Sequence, residues 1–377
     1  MNGRAMMGRW TMAGTVSAFL LAAQVLTPAS AQTVSASQPT MKWYRGNTHT
    51  HTINSDGDAA PDAVVRWYRE HGYQFLVITD HEYITDVAPL QAAFGAEDRF
   101  LVMPGQEVTQ IVLDPSHPDG RRQAHINAIN SSRVVMPMGE PGKNPRIGRT
   151  APQGTKIGDT YARNIEGIVA AGGIAQVNHP NWRWSVGIED MAQLPNGTLF
   201  EVWNGIREIN NLGGTDDKGN VALSTEALWD GLLSRGKLLY AVGSDDIHDL
   251  YKSASDPEVA LPGQAWIAVR AEKLAPSAIV AALKRGDFYA SNGITLEDYE
   301  VTAGNKEIIV TLKRTGGSRD DTRFLTRFIG KGGKVLAEVS GLKATYKVRG
   351  DEGYVRASIT DSTGRRAWTQ PVMLGGR

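Results

Sequence analysis

The sequence predicts an α/β fold built on a largely parallel sheet, followed by a small antiparallel β module. Three observations carry this. Short apolar runs of four or five residues recur between residues 75 and 242. Helix-like stretches separate several of them. After about residue 297 the helical stretches stop and short alternating runs take over. Near-continuous apolar runs of that length suit strands covered on both faces, as in a parallel sheet. Strand–helix alternation then points to an α/β barrel or a doubly wound sheet.

The chain opens with Arg4 and Arg9 and no acid, then an apolar run over residues 12–26 (MAGTVSAFLLAAQVL). Thr27-Pro28-Ala29-Ser30-Ala31 ends in the small-x-small pattern of a signal-peptidase site. Residues 1–31 are therefore expected to be a signal peptide and the mature protein to be exported, periplasmic or secreted. The apolar run is short of the ~20 residues of a membrane span, and no later stretch qualifies. Residues 32–41 are polar and aperiodic and form a linker.

The strands of the large domain, residues 42–296, are expected at 75–78 (FLVI), 100–103 (FLVM), 126–129 (INAI), 173–177 (GIAQV), 199–202 (LFEV) and 238–242 (LLYAV). Helices are expected over 61–71, with Pro61 near the start and Gly72 as a stop, and over 160–171, ending at Gly172-Gly173. A third follows Ser224, an N-cap, over 225–234, and stops at Gly236. Residues 131–159 are polar, carry Pro137, Pro141, Pro145 and Pro152, and read as a long loop. The β module, residues 297–377, has runs at 307–312, 324–329, 335–339, 345–348 and 354–360. Turns such as Thr315-Gly316-Gly317, Lys331-Gly332-Gly333 and Ser362-Thr363-Gly364 separate them.

Composition narrows the chemistry. Basic and acidic residues balance at 40 each. Loss of the leader removes Arg4 and Arg9 and no acid, leaving the mature chain at net −2. A nucleic-acid footprint built on bulk charge is excluded. The absence of cysteine excludes disulfides, thiolate metal sites and a cysteine nucleophile. Any metal must be held by nitrogen and oxygen.

Six of the eight histidines lie at or beside a strand end. His49 and His51 follow the first strand, with Asp56 close behind. Asp80 and His81 follow residues 75–78. Glu107 follows residues 100–103, and His125 opens the next run. His179 ends its run, and Asp245, Asp246 and His248 end another. Such ends converge on one mouth in α/β sheets, where active sites are built. Clustered carboxylates repel one another and buried imidazoles stay unpaired unless a cation organises them. Side chains two apart in an extended segment point the same way. His49 with His51, and Asp246 with His248, can each present two ligands to one side. His49, His51, Asp56, His81, Glu107, His125, His179, Asp246 and His248 exceed one four-coordinate site. They suffice for two or three divalent ions (Zn, Mn or Fe), with Glu107 able to bridge. A centre of this kind supplies a bound hydroxide and clamps the attacking and leaving oxygens of a displacement, so hydrolysis is the expected reaction. His71 and His117 fit ordinary helix-end and loop roles.

These motifs resemble the PHP family, named for polymerase and histidinol phosphatase. The resemblance covers about Arg45 to His248. It rests on His-x-His at 49–51, Ser-Asp-Gly at 55–57, Thr-Asp-His at 79–81, Gly-x-Glu at 105–107, His125, Asn-His-Pro at 178–180 and Gly-Ser-Asp-Asp-x-His at 243–248. It implies a distorted (β/α)7 TIM-like barrel with a two- or three-metal centre. It further implies that His49, His51, Glu107 and Asp246 form one site, that Glu107, His125 and His179 hold a second ion, and that Asp56, His81 and His248 hold a third. Asp56 departs from the family pattern, in which several members have His. The stretch from Asn178 to His248 is also similar to a narrower exported branch that includes carbaryl-type ester hydrolases, many with a C-terminal β module.

Beside the ligands, Asp80 and Asp245 are candidates for orienting imidazoles. Arg45, Arg183 and Lys252 are candidates for pairing an anionic substrate, and Trp182 and Trp184 for walling the pocket. The leading expectation is an exported metal-dependent phosphoesterase acting on a small-molecule phosphomonoester or phosphodiester. The alternatives are a carboxyl- or carbamate-ester hydrolase of the same architecture and a non-catalytic binding protein that works through its β module.

Overall fold

The protein is described by a computed structural model that covers residues 40–142, 147–215, 219, 221–252, 254–255, 259–314 and 322–374. The leader, all of the linker up to residue 39 and the turn at 315–317 lie outside the described residues.

β1 (Lys42–Asn47) enters the core with its last two residues buried. α1 (Pro61–Glu70) begins on Pro61, whose missing N–H costs nothing in a first turn. It turns Val64, Val65 and Tyr68 inward. β2 (Phe75–Ile78) is buried throughout, and α2 (Ala88–Phe94) follows. β3 (Leu101–Leu113) and β4 (Arg121–Ile129) form a long antiparallel hairpin. α3 (Ile157–Ala170) leads to β5 (Ile174–Val177), the short α4 (Ile188–Met191) and β6 (Leu199–Asn204). α5 (Thr225–Ser234) is capped as expected, with Ser224 Oγ accepting from the Ala227 N–H at 3.0 Å. β7 (Tyr240–Ser244) and β8 (Trp266–Ala271) follow, then α6 (Pro276–Arg285) and β9 (Phe288–Ser291). The remaining strands are β10 (Leu296–Val301), β11 (Glu307–Leu312), β12 (Phe324–Gly330), β13 (Lys334–Ser340), β14 (Lys343–Lys347), β15 (Tyr354–Asp361) and β16 (Arg366–Thr369).

One sheet runs in the order β7-β6-β5-β4-β3-β2-β1-β8-β9-β16-β15-β12-β13. Two corrections to the expected barrel follow. The sheet is mixed, because β4 is antiparallel to both β3 and β5, and β1 to β8. A tight turn joins β3 to β4, with the Asp114 N–H bonded to the Gly120 carbonyl at 3.0 Å, and a connection that short permits only a hairpin. Second, the sheet does not close. β7 approaches β8 and β9 closely enough that a Cβ on Gly243 would sit 3.1 Å from the Trp266 carbonyl, yet no ladder joins them. The edge of β7 is satisfied otherwise. The Gln370 carboxamide accepts from the Ala241 N–H at 2.9 Å and donates to the Ala241 carbonyl at 2.8 Å. A strand edge already bonded by a side chain does not need another strand.

The expected loop at 131–159 is shorter than predicted. Glu140–Pro141 pairs with Arg149–Thr150, and the latter adds alongside β3 at Gln110 and Ile111. The five runs expected after residue 297 each form a strand, and β10 and β16 are added to them. β10, β11 and β14 form a separate sheet. Ile308, Val310 and Tyr346 pack there against Phe324, Phe328, Ala357 and Ile359 of the large sheet. Residues 40–377 form one compact unit.

Candidate metal centre

The strand ends bring the candidate ligands together. The segments carrying His49/His51 and Asp246/His248 are fastened to each other, with the His51 N–H on the Ile247 carbonyl at 3.0 Å and the Asp246 N–H on the His49 carbonyl at 3.1 Å. A parallel bridge sets His81 beside Glu107. Glu107 lies within β3 and His125 within β4, on neighbouring strands. His179 follows β5 directly. His179 and Asp246 both sit at positive φ, 23° and 55°. Such backbone persists only where its surroundings hold it, and is concentrated at functional sites.

All nine expected ligands fall into overlapping groups whose donor atoms lie within 4.8 Å of one another. His49 Nε2 and His51 Nε2 lie 3.0 and 3.1 Å from Asp246 Oδ1, and each is 3.3 Å from Glu107 Oε2. Ligands held about 2.0–2.2 Å from one ion lie about 3–3.5 Å apart, so this spacing is that of a coordination shell. A second group joins Glu107, His125 and His179, with His125 Nδ1 2.9 Å and His179 Nε2 3.6 Å from Glu107 Oε1. The third joins Asp56, His81 and His248, where each Asp56 oxygen is 3.5 Å from one imidazole Nε2, and His51 belongs to it too. The grouping differs from the implied one in two respects. His51 is shared with the rim group, and His179 also meets His49 and Asp246.

The donor set fits a cation. His51 Nε2, His125 Nε2 and Asp246 Oδ1 are buried without a hydrogen-bond partner. Buried polar atoms are nearly always satisfied, and His51 Nε2 and Asp246 Oδ1, 3.1 Å apart, need an occupant. The electrostatics agree. Burial pushes His49 down, but Asp246, Glu107 and Glu201 outweigh it and hold it well above the usual imidazole range. Burial also opposes the rise at His179, which Glu107, Asp246 and Glu201 impose, and at His248, which Asp56 and Asp246 impose. Burial would raise Glu107, yet the imidazoles of His81, His49 and His125 hold it well below the carboxylate range. His125 goes the other way, as burial drives it to about 4 despite Glu107. Positive charge is thus favoured at His49, His179 and His248, whereas His125 is the imidazole poised as a neutral donor.

Residues to which the sequence assigned no role complete the site. Glu201, fully buried in β6, accepts from His49 Nδ1 (2.7 Å), Gln176 Nε2 (3.3 Å), the His179 N–H (2.6 Å), Asn204 Nδ2 (2.8 Å) and Ser244 Oγ. Asn204 Nδ2 also donates to Asp246 Oδ2 at 3.0 Å, and Asn178 Nδ2 to Glu107 Oε1 at 2.8 Å. Asn204 thus holds Asp246 Oδ2 and leaves Oδ1 for the centre, while Glu107 Oε1 is shared by Asn178 and His125 and Oε2 is left to His49 and His51. The signals for Glu201 were a lone acid inside an apolar strand and its place in Glu201-Val202-Trp203-Asn204-Gly205, within the stretch similar to the narrower branch.

Three residues expected to act beside the metal are placed elsewhere. Asp80 accepts from Thr52, Ser55 and Thr85 and bonds no imidazole. Asp245 accepts from Tyr68 Oη at 2.7 Å and from the N–H groups of Gly263, Gln264 and Ala265. His81 and Asp246 face the centre, while their neighbours Asp80 and Asp245 are bonded to other partners. The Arg45 guanidinium is sandwiched by Trp266 and Tyr73, 3.7 and 4.1 Å from the ring centroids. Arg183 pairs with Asp119 at 3.7 Å. Lys252 and Trp182 do reach the cavity, which encloses 340 Å³ over the ligand cluster. Trp182 stands edge-on to His125 and His179 at 5.1 and 5.3 Å. Ile147, Ile206 and Ile209 supply further apolar wall, and Glu208 and Asp249 carry charge there beside Lys252. Trp184 is not part of the lining. Glu82, pushed up to about 7 by burial, accepts from the Thr109 and Gly148 N–H groups and so pins the segment that carries Ile147.

No protein-family model matches the chain, and no curated protein matches it. Among solved structures, it is similar to a two-domain protein from Bacteroides vulgatus ATCC 8482 described as containing a predicted PHP-like metal-dependent phosphoesterase. Identity is 15%, coverage 88% of this chain and 96% of that one, and the TM-score 0.45. It is also similar to a protein from Bifidobacterium adolescentis ATCC 15703, described provisionally as a metal-dependent phosphoesterase. There identity is 15%, coverage 57% and 90%, and the TM-score 0.36. At these scores neither likeness assigns an activity, and the site geometry alone bears on function.

Proposed function

We propose that this chain is a metal-dependent hydrolase of small-molecule esters, phosphoesters foremost, with two or three divalent ions (Zn, Mn or Fe) held by His49, His51, Asp56, His81, Glu107, His125, His179, Asp246 and His248. The observation that carries the reading is the pair of buried, unpartnered atoms His51 Nε2 and Asp246 Oδ1, 3.1 Å apart, with Glu107 Oε2 3.3 Å from the same imidazole nitrogen. When bound, the ions would activate water and screen charge on the reacting group. The chain's own residues do the rest. Glu107 turns one oxygen to each of two ligand groups and so links them. Trp182 and Ile147 wall off water on one side of the cavity, and Lys252, 2.7 Å from Asp249, faces it with a positive charge. A phosphoester would use that charge.

A second reading is favoured by the same wall. Trp182, Ile147, Ile206 and Ile209 suit the apolar group of a carboxyl or carbamate ester, and the adjacent Glu208 and Asp249 offset Lys252. The proposal includes export of the chain after loss of residues 1–31, with residues 42–296 as the catalytic part. The test assays metal-reconstituted protein against phosphomonoesters, phosphodiesters and aryl esters. Turnover of a phosphoester is expected, and it should vanish in His179→Ala and Asp246→Ala. Turnover of aryl esters alone would move the assignment to the second reading. Full activity in both variants would refute the site.

A further inference from the structure

We propose that Glu201 is a positioning residue that preforms the buried half of the centre, so that an ion there binds tightly while the rim group of His51, Asp56, His81 and His248 binds weakly and exchanges. The proposal rests on the metal-hydrolase reading and adds an order of loading to it. A carboxylate only accepts hydrogen bonds, so the 2.7 Å contact requires the His49 proton to be on Nδ1. His49 Nε2 then presents a lone pair to Asp246 Oδ1 at 3.0 Å and Glu107 Oε2 at 3.3 Å. With the ring neutral all three are acceptors, and a metal ion or a second proton on the ring must stand between them. Glu201 Oε2 meanwhile holds the His179 N–H, fixing the strained backbone of a second ligand. Through Asn204 it is tied to Asp246 Oδ2, a third. One buried carboxylate therefore sets the ring tautomer, backbone and carboxylate orientation of three residues of one ligand group.

At the rim each ring has its own separate partner, and no single carboxylate ties the ligands together. His248 Nδ1 meets the carbonyl of Asp246 at 2.9 Å, and His81 Nδ1 meets the Thr109 hydroxyl at 2.6 Å and the shared ligand Glu107 at 3.2 Å. The Asp56 and His248 side chains are 28% and 24% exposed, whereas those of His49 and Asp246 are 0% and 3%. Solvent competes at the rim and not at the buried group.

The test is cobalt(II) titration of the full metal-free chain against a chromophoric chelator, read together with the visible absorption of bound cobalt. The unsubstituted chain should show a tight and a weak class. Asp56→Ala should lose the weak class and keep the tight one. Glu201→Gln should weaken the tight class by about 10–100-fold and alter its absorption band, leaving the weak class in place. Asn204→Ala, which keeps the Glu201 charge, should weaken the same class to a lesser degree, and it decides the matter if Glu201→Gln fails to fold. A folded variant with an unmoved tight class, or equal weakening of both classes, overturns this proposal alone. Failure of the unsubstituted chain to take up cobalt overturns the hydrolase reading with it.

Discussion

Ion removal should lower the thermal stability of the folded protein by a predictable amount. A ligand that binds only the folded chain, present at a hundred times its dissociation constant, adds about 2.7 kcal/mol. Unfolding entropy near 2.1 cal/mol/K per residue, summed over the compact unit of residues 40–377, gives a slope of about 0.7 kcal/mol per degree. Each saturated ion should therefore raise Tm by about 4 °C, and two by about 8 °C. The assay is scanning calorimetry of the chain with excess metal and again with excess chelator. Asp246→Ala removes the oxygen that lies 3.0 and 3.1 Å from the imidazoles of His49 and His51. Its metal-dependent increment should fall by about half, to about 4 °C. The increment is taken within each variant, so any change in the metal-free fold cancels. A chelator shift below about 1 °C with Zn, Mn and Fe each supplied in excess would refute the reasoning.

Three further outcomes are expected. His49, His81, His179 and His248 are raised in the metal-free fold, so the stability they contribute is full below an ordinary imidazole pKa and is lost as pH rises through the raised values. Protons compete with metal for the same nitrogens; hence the chelator-induced drop in Tm should grow from pH 6 to pH 9, and a flat or shrinking drop would contradict the assignment. Asp230→Ala should cost about 3 kcal/mol by equilibrium unfolding, because it removes two of the three carboxylate bonds to buried Arg356, at 2.6 and 2.8 Å, and leaves Glu226 at 2.9 Å, while metal uptake stays unchanged. Lys252→Ala should raise KM for phosphomonoesters and leave KM for neutral esters unmoved in steady-state assays; equal effects on both would remove Lys252 from substrate binding.

Most of the ligand set was legible because strand ends are marked twice, once by the apolar run that stops and once by the polar residue that follows. The hairpin of β3 and β4 was less legible. Pro104-Gly105 reads as a break after residue 103, yet β3 continues through it to Leu113. Gly105 lies within the strand because its neighbours leave no room, and a Cβ there would sit 2.7 Å from Val77 Cγ1. This close approach depends on a partner strand and has no local trace. His125, read as opening a strand, lies inside β4 opposite Thr109 for the same reason. The open edge at β7 was also hidden, since Gln370 stands 129 positions from Ala241.

The buried acids at this end of the sheet show why charge alone did not separate ligand from support. Asp80, Glu107, Glu201, Asp245 and Asp246 are all at most 2% exposed. Burying a carboxylate is costly unless its lone pairs are met, so each must have found a solution. Asp80 is met by hydroxyls and a backbone N–H, and Asp245 by Tyr68 and three backbone N–H groups. Glu201 is met by five donors, one of them the ring of His49. Glu107 and Asp246 differ, because a single neutral amide meets each and imidazole nitrogens crowd both oxygens of Glu107 and Oδ1 of Asp246. Asp246 Oδ1 is left with no donor at all. An acid in a sequence is equally compatible with all of these arrangements. The count of donors around each oxygen distinguishes them, and it picks out the two carboxylates whose charge still needs a cation.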